Sequence, residues 1–197
     1  MEKYDVAIIG GGSAGLAALK QLSTLGKQAV LLEAGKKVGV KNISGGILYS
    51  KKPNKGRVYN VEDIYGQNFV DEAPLQRKIT KYLLHATSKD KVFSMDLTAA
   101  HEYQSNFGYS VLMNELNAWF AQSADESAQK CGGGIVPGVH VNNISWDDEK
   151  ERTIIQTDEL DEFQVKAVIA ADGVNSEVAQ ITRARPKFSA VQLYQGV

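Results

Sequence analysis

The sequence is poor in cysteine and carries no excess charge of either sign. Its 197 residues include a single cysteine, Cys131, which excludes an internal disulfide and any iron–sulfur cluster held by four of the chain's own thiolates. Because 22 Lys and Arg are balanced by 23 Asp and Glu, the composition argues against a protein that binds nucleic acid through bulk positive charge. The hydrophobic content of 43 % is typical of a globular protein that buries a core.

Long hydrophobic runs are also missing. The longest weakly polar stretch, residues 6–19, contains four glycines and is shorter than the ~20 residues that cross a bilayer. It follows Glu2 and Asp5, whereas a secretory signal peptide begins with basic residues. We therefore expect a cytoplasmic protein.

The first 35 residues predict one βαβ unit. Residues 6–9 (VAII) form a short apolar run, typical of a strand buried on both faces in a parallel sheet. Leucines at every third position then mark one face of a helix that ends at Gly26. Residues 28–33 (QAVLLE) predict the next buried strand.

A glycine-rich turn joins the first strand to the helix and fits the pattern G-x-G-x-x-G. Gly10 permits a tight turn, Gly12 lets the backbone approach a pyrophosphate, and Gly15 lets helix and strand pack closely. Glu33, 18 residues beyond Gly15, can accept hydrogen bonds from an adenosine ribose. Together these features predict a dinucleotide site, in which amides at the positive end of the helix hold the phosphates. The unit alone is compatible with NAD and with FAD, and a glycine turn without ligand is the alternative.

The rest of the chain predicts a long loop and several further elements. Residues 34–61 hold seven basic residues, five glycines and no acidic residue, which favours a functional loop over a spacer. The further elements are a β-hairpin over 79–87 and 93–97, a helix over 111–130, strands over 139–146 and 153–157, and a doubly buried strand over 167–171.

Four segments stand in the order found in one flavoprotein family. They are residues 41–49 (KNISGGILY), 72–75 (EAPL), 109–112 (YSVL) and 168–176 (VIAADGVNS). In these segments the chain resembles the FixC proteins, which are related to electron-transfer-flavoprotein:quinone oxidoreductases and, more widely, to geranylgeranyl reductases and flavin hydroxylases. The K-N-x-S-G-G segment is the part most specific to the FixC branch.

This resemblance implies FAD as the cofactor and a set of residues that contact it. The residues implied at the pyrophosphate are Gly10, Gly12, Ser13, Ala14 and Gly15. Those implied at the adenosine are Glu33 and its neighbour Ala34 at the ribose, and the Val141 backbone at the adenine edge. Those implied beside the ribityl chain and flavin ring are Lys41, Asn42, Ser44, Gly45 and Gly46. Those implied next to the phosphates, at the end of the last parallel strand, are Ala171, Asp172 and Gly173. No catalytic acid or base is assigned.

The chain departs from the family pattern at three positions. A basic residue usually follows the Glu of the second strand, where this chain has Ala34. An Arg and an Asp of a later helix are replaced by Met113 and Asn117. The absent Arg would help to neutralise the FAD phosphates, a role that the basic residues of 36–57 could take over.

The fold implied by the resemblance is α/β, with a Rossmann-like FAD-binding βαβ sheet of the glutathione-reductase type and an inserted antiparallel β-hairpin or meander. The FAD-binding domain would cover residues 1–190, with the insertion at about 50–108. Because family members are longer, the chain is expected to be the N-terminal portion of a longer protein or a truncated gene product. Residues 191–197 would then begin a substrate or quinone domain.

The implied function is an FAD-dependent oxidoreductase that passes electrons from electron-transfer-flavoprotein subunits to a quinone, with a ferredoxin-like protein as a further partner. Two alternatives stay open: an NAD(P)H-dependent isoprenoid reductase or hydroxylase of the same superfamily, and a truncated nucleotide-binding module without activity. The basic residues of 51–57 could meet an acidic partner or the anionic inner face of a membrane, although a solvated loop is the simpler interpretation. The three histidines, at 85, 101 and 140, have no spacing that predicts a metal site.

Overall fold

The computed structural model describes residues 3–49, 51–54, 57–98 and 108–182, so His101 and the predicted domain start at 191–197 lie outside them. The described residues fall into two compact units, one with residues 3–42 and 117–182 and the other within 43–116. The elements, in chain order, are β1 (Lys3–Ile9), α1 (Ser13–Thr24), β2 (Ala29–Glu33), β3 (Gly45–Leu48), β4 (Lys51–Asn54), β5 (Arg57–Asn60), α2 (Glu62–Tyr65), α3 (Phe69–Glu72), β6 (Leu75–Lys78), β7 (Leu83–Thr87), β8 (Val92–Asp96), β9 (Tyr109–Leu112), α4 (Met113–Gln129), β10 (Gly134–Pro137), β11 (Val141–Asp147), β12 (Arg152–Thr157), β13 (Phe163–Ala170) and α5 (Glu177–Ile181).

The first unit is built on a six-stranded sheet in the order β10-β2-β1-β13-β12-β11. The four strands β10, β2, β1 and β13 run parallel, and β12 and β11 continue the sheet as an antiparallel edge. Ala7, Ile8 and Ile9 of β1 are all buried, because a central parallel strand is covered on both faces. The predicted βαβ unit and the predicted α/β fold are therefore confirmed.

One face of this sheet carries a continuous hydrophobic core. Residues from five strands and α5 form it, including Ile9, Leu32, Val165 and Val178. Helix α1 packs against β1 and β2, with Leu16 and Leu19 fully buried. Lys20 ties α1 to α4, because its Nζ donates to the hydroxyls of Ser123 and Ser127 at 2.8 and 2.7 Å.

The second unit consists of small antiparallel sheets. Strand β9 lies between β3 and β6, while β4 pairs with β5 and β7 pairs with β8. This unit includes the described part of the predicted insertion at 50–108. Helices α2 and α3 are each one turn long, and Phe69 of α3 is buried.

Several sequence predictions about local structure were wrong. The stretch 34–61 is not one loop, because it contains β3, β4 and β5. The helix predicted over 111–130 begins at Met113: Tyr109–Leu112 form β9, whose backbone pairs with strands on both sides. Strand β7 begins at Leu83 rather than at 79, and β10 was not predicted.

The last strand also differs from the prediction. It begins at Phe163, and its buried part is 163–165, whereas Ala167 and Ala170 are exposed. The reason is that β12 pairs only with residues 163–165, so within the described part of the chain the later residues of β13 pair with β1 alone. No helix in the described ranges combines the length and the apolar character that a membrane crossing needs.

Candidate functional site

The turn after β1 can exist only with glycine at its first position. Gly10 has φ +108°, and a Cβ atom there would lie 2.4 Å from the carbonyl oxygen of Ala171. The Gly10 N–H donates to the Leu32 carbonyl at 2.8 Å, and the Ala171 N–H donates to the Ile9 carbonyl at 2.8 Å. The turn is thus held between the ends of two neighbouring strands, at the carboxyl edge of the parallel sheet.

The other two motif glycines have different physical roles. A Cβ on Gly15 would lie 1.9 Å from the Gly10 carbonyl oxygen, so helix and turn approach too closely for any side chain. A Cβ on Gly12 would meet no atom of the described residues within 4 Å, and the φ of Gly12 is an ordinary −76°. Gly12 therefore leaves open space where a ligand's phosphate can approach the backbone.

The start of α1 offers hydrogen-bond donors without a capping side chain. Gly12 is the N-cap, and within the described part of the chain no side chain caps the helix or places a carboxylate in its first turn. The first N–H groups of a helix have no acceptor within the helix, and the helix dipole makes this end positive. The backbone at Ser13, Ala14 and Gly15 is therefore suited to an anionic group such as a phosphate.

Glu33 is fixed by the backbone of two glycines. Its Oε2 accepts from the Gly11 N–H at 2.7 Å, and its Oε1 accepts from the Gly35 N–H at 2.6 Å. The Nζ of Lys41 lies 3.7 Å from Oε1, and the Glu33 side chain is only 13 % exposed. Each carboxylate oxygen keeps acceptor capacity after one hydrogen bond, so the fixed carboxylate can still receive ligand hydroxyls.

The carboxylate of Asp172 organises the turn after β13. Its Oδ1 accepts from the Ser176 hydroxyl at 2.6 Å, and its Oδ2 accepts from the Val178 N–H at 3.0 Å. The Ser176 hydroxyl oxygen accepts in turn from the Ala179 N–H and caps α5. These contacts form a strand-to-helix turn. The hydrogen bond from the Ala171 N–H to the Ile9 carbonyl places this turn beside the glycine loop.

These parts surround a cavity of about 510 Å³, a volume within the usual range for small-molecule sites. Ten of the residues predicted from the resemblance line it: Gly10, Gly12, Glu33, Ala34, Lys41, Asn42, Val141, Ala171, Asp172 and Gly173. Ser13, Ala14 and Gly15 continue from the lining into α1.

The other predicted flavin-side residues lie in the second unit. Gly45 and Gly46 belong to β3 and pair with Leu112 and Val111, and the Ser44 carbonyl accepts from the Met113 N–H at 3.0 Å. The sequence prediction placed these glycines in the loop over 34–61, and that local structure was wrong because their backbone pairs with β9. Their role toward a flavin stays a prediction.

Sequence reasoning missed two polar residues on the cavity wall. The Nε2 of His140 lies 2.8 Å from Oε2 of Glu177, and both residues line the cavity. The Nδ1 of His140 is 4.0 Å from Asp158. No sequence signal connects these positions, because their proximity depends on where β11 and α5 meet. Gly11, whose N–H binds Glu33, could have been found from its place inside the glycine motif.

Comparison with known proteins tests the predicted resemblance. No protein-family model matches the chain. The chain is 33 % identical over 178 residues to the FixC protein of Escherichia coli K12, an alignment that covers 90 % of this chain and 38 % of that protein. Over these 178 residues the chain is similar to the FixC proteins. The predicted resemblance is therefore confirmed, and the chain spans well under half the length of its FixC relatives.

A second relative carries a functional description. The chain is 29 % identical over 176 residues to a probable electron transfer flavoprotein-quinone oxidoreductase, YdiS, of E. coli K12. That alignment covers 89 % of this chain and 38 % of YdiS.

Solved structures share the fold of this FixC relative at low sequence identity. The flavin-dependent monooxygenase PieE, crystallised with FAD and substrate, has a TM-score of 0.63 at 15 % identity, covering 92 % of this chain and 32 % of PieE. A geranylgeranyl bacteriochlorophyll reductase-like protein from Thermoplasma acidophilum has a TM-score of 0.62 at 18 % identity, covering 92 % of this chain and 42 % of that protein. The fold is therefore one that FAD-dependent enzymes use, in agreement with the predicted cofactor.

Proposed function

We propose that this chain binds FAD and forms the cofactor-binding portion of an FAD-dependent oxidoreductase. One observation carries the proposal: Gly12, which leaves open space at the uncapped start of α1, and the fixed carboxylate of Glu33 line the same cavity. An anion-binding helix start beside a fixed carboxylate fits a dinucleotide, because its phosphates are anionic and its ribose carries hydroxyl donors. When bound, FAD would supply the electron-transfer chemistry.

Each predicted contact has a definite task in this arrangement. The backbone N–H groups of Ser13, Ala14 and Gly15 would donate hydrogen bonds to the pyrophosphate. The Glu33 carboxylate would orient the adenosine ribose. Val141, which is 4 % exposed and lines the cavity, would offer its backbone to the adenine. Lys41 lies at the cavity wall and brings a positive charge toward the anionic ligand.

A further contact to the flavin would come from the K-N-x-S-G-G segment. Lys41 and Asn42 line the cavity, and Ser44, Gly45 and Gly46 follow them in sequence. Small residues there would let backbone amides approach a flat ring, where hydrogen-bond donors near the nitrogens tune the flavin potential.

For the whole protein we propose electron transfer from an electron-transfer flavoprotein to a quinone, with a ferredoxin-like protein as a further partner. The description of the relative YdiS supports this route. Since the fold is also found in monooxygenases and in a geranylgeranyl reductase-like protein, reduction of the flavin by NADPH is the alternative. Rapid-mixing measurements with reduced electron-transfer flavoprotein or with NADPH distinguish the two, because only the true donor bleaches the flavin absorbance quickly.

We also propose peripheral contact with a membrane through the β7–β8 hairpin. The cross-strand pairs Leu84–Met95 and Ala86–Phe93 put four apolar side chains on one face, and Phe93 is 61 % exposed. Lys89 and Lys91 near the turn add positive charge suited to anionic lipid. Co-flotation with phosphatidylglycerol vesicles, and its loss in Phe93→Ser, would support this contact. Flotation that does not differ from that with phosphatidylcholine would contradict it.

The central proposal is tested by spectroscopy on the 197-residue chain. We expect the purified chain to show flavin absorbance, or to gain it on titration with FAD and gel filtration. A colourless chain that takes up no FAD would contradict the proposal and favour an inactive module. Titration with NAD is the matched control, because NAD shares the adenosine and pyrophosphate but lacks the flavin.

A further inference from the structure

The cavity wall carries, besides Glu33 and Asp172, the carboxylate of Glu177, the first residue of α5. Its Oε2 lies 2.8 Å from Nε2 of His140. Because a carboxylate can only accept, the His140 nitrogen is the donor in this hydrogen bond. Oε1 of Glu177 has no hydrogen-bond partner within the described part of the chain, and the side chain is 66 % exposed. The carboxylate is thus held by one oxygen and keeps the other for a ligand.

His140 is itself fixed where the chain enters β11. Its backbone N–H donates to Oε2 of Glu159 at 2.9 Å, and Glu159 belongs to the segment between β12 and β13. His140 directly precedes Val141, the first residue of β11, whose backbone is the proposed contact of the adenine. Helix α5 packs against β11, where Val178 and Val141 share one hydrophobic core. Glu177 and the Val141 backbone therefore reach the cavity from two elements that are in contact.

The charge of Glu177 decides which part of a nucleotide can lie beside it. A carboxylate repels phosphates and carbonyl oxygens, whereas it attracts hydrogen-bond donors, and such charge-assisted hydrogen bonds are stronger than neutral ones. The phosphates have a better place at the uncapped start of α1. Adenine carries a donor group, the amine on C6, with two hydrogens. If the Val141 carbonyl accepts one of them, Glu177 is a suitable acceptor for the other.

We propose that Glu177 accepts a hydrogen bond from the C6 amine of the adenine, and that His140 is the positioning residue that holds the carboxylate in place. The pair makes the site selective for adenine over purines with an oxygen on C6, because the carboxylate meets a donor in the first and an acceptor in the second. This inference rests on the proposed dinucleotide site and extends it from the phosphates and the ribose to the base.

The test compares ADP with IDP, which carries an oxygen on C6 in place of the amine and a hydrogen on N1. Calorimetry measures both affinities for the 197-residue chain and its variants, and circular dichroism checks their folding. We expect the unaltered chain to prefer ADP, and Glu177→Ala to lower the ratio of ADP to IDP affinity by roughly tenfold or more. Asp161→Ala, which removes the same charge from an exposed position near β12, is the matched control and should leave this ratio unchanged.

Two variants at position 140 separate positioning from a merely structural role. His140→Leu removes the donor and should lower the ADP to IDP ratio in the same direction as Glu177→Ala. His140→Gln keeps an N–H donor at a similar reach, so it should restore the ratio of the unaltered chain. The variants at position 140 also keep the test valid if Glu177→Ala does not fold.

The outcomes distinguish this inference from the proposed function. An unchanged ratio in Glu177→Ala and His140→Leu, or equal losses for ADP and IDP, would overturn the role of the pair while ADP binding by the unaltered chain still supports the dinucleotide site. Failure of His140→Gln to restore the ratio would overturn the positioning role of His140. An unaltered chain that binds neither ADP nor FAD would overturn the proposed function as well.

Discussion

The carboxylate of Glu33 accepts a hydrogen bond from the backbone N–H of Gly11, 22 residues earlier in the chain, at 2.7 Å. The end of β2 is thereby joined to the glycine turn that follows β1. The same side chain also accepts from the Gly35 N–H, so the two turns at the cavity wall share one acceptor group. Glu33 consequently has both a structural and a proposed ligand-binding role, and these can be measured separately.

Replacing Glu33 by Gln should weaken FAD binding by ~1.5–3 kcal/mol, the range for hydrogen bonds to a charged group. The amide has one acceptor oxygen in place of two, so it cannot serve both glycine N–H groups and the ribose. Equilibrium titration with FAD measures the affinity, and thermal unfolding of the ligand-free chain measures the structural part. Glu126→Gln, at an exposed position of α4, is the matched control. Unchanged FAD affinity would remove Glu33 from the ribose site.

Gly12→Ala should leave the fold intact and lower FAD affinity at least tenfold, which is ~1.4 kcal/mol. The added methyl group meets no protein atom within 4 Å among the described residues, so the fold can accommodate it. The methyl group would instead fill the space through which the proposed phosphate approaches the backbone. FAD titration and circular dichroism report the two effects. An exposed substitution on the same helix, Gln21→Ala, should change neither. Full affinity in Gly12→Ala would mean that the phosphates do not approach this glycine.

Gly15→Ala should instead destabilise the chain, by ~1–3 kcal/mol as in other overpacked sites. Inside a helix, Ala is favoured over Gly by roughly 0.5–1 kcal/mol, but here its Cβ would lie 1.9 Å from the Gly10 carbonyl oxygen. The steric clash therefore decides the sign. Urea unfolding of the ligand-free chain measures the effect, and a stabilised variant would show that turn and helix can separate without cost.

Asp172→Ala should lower stability in the absence of any ligand. The carboxylate accepts from the Ser176 hydroxyl and the Val178 N–H, and hydrogen bonds to charged groups contribute ~1.5–3 kcal/mol. Urea unfolding is the measurement, with Asp148→Ala at an exposed turn position as control. A variant as stable as the original chain would mean that Asp172 acts only on the ligand.

Acid should weaken the link between β1 and β13. The hydrogen bond from Lys166, together with that from the Gln28 N–H, holds the pKa of Asp5 below its ordinary value. A carboxyl whose pKa is lower in the folded state stabilises that state above its unfolded pKa of about 3.9. This contribution is lost as the pH falls through the lowered value. Urea unfolding measures the free energy of unfolding at the two pH values. We expect the original chain to be more stable than Asp5→Asn at pH 7, and this difference to be smaller at pH 3. A difference that does not change would contradict the role of Asp5.

The sequence predicted the parts of the fold whose signals are local. The apolar run of β1, the glycine turn and Glu33 each carry a pattern that one short segment displays. Strand β10 does not, because its four residues begin with Gly134 and end with Pro137, and only pairing with β2 makes them a strand. Strand β3 was hidden for the same reason, since Gly45 and Gly46 have low strand propensity and depend on β9.

The sequence predicted most of the residues that line the candidate site, but it did not predict the contacts between their side chains. Motif positions named the glycines, Glu33 and Asp172, but not that Asp172 also accepts a hydrogen bond from the Val178 N–H at the start of α5. The proximity of His140 and Glu177 arises from tertiary packing between residues 37 positions apart. Such pairs leave no periodic trace in a single sequence.

The pairing of β1 with β13 sets the order in which this chain can become functional during synthesis. Asp5 and Lys166 are 161 residues apart, and the wall formed by Ala171 against Gly10 comes from the same late segment. When only the βαβ unit has left the ribosome, the whole glycine motif has been translated, but the segment with Ala171 has not. Closing so long a loop is slow compared with forming local contacts, so nucleotide capture should follow translation of β13 and not of the motif itself.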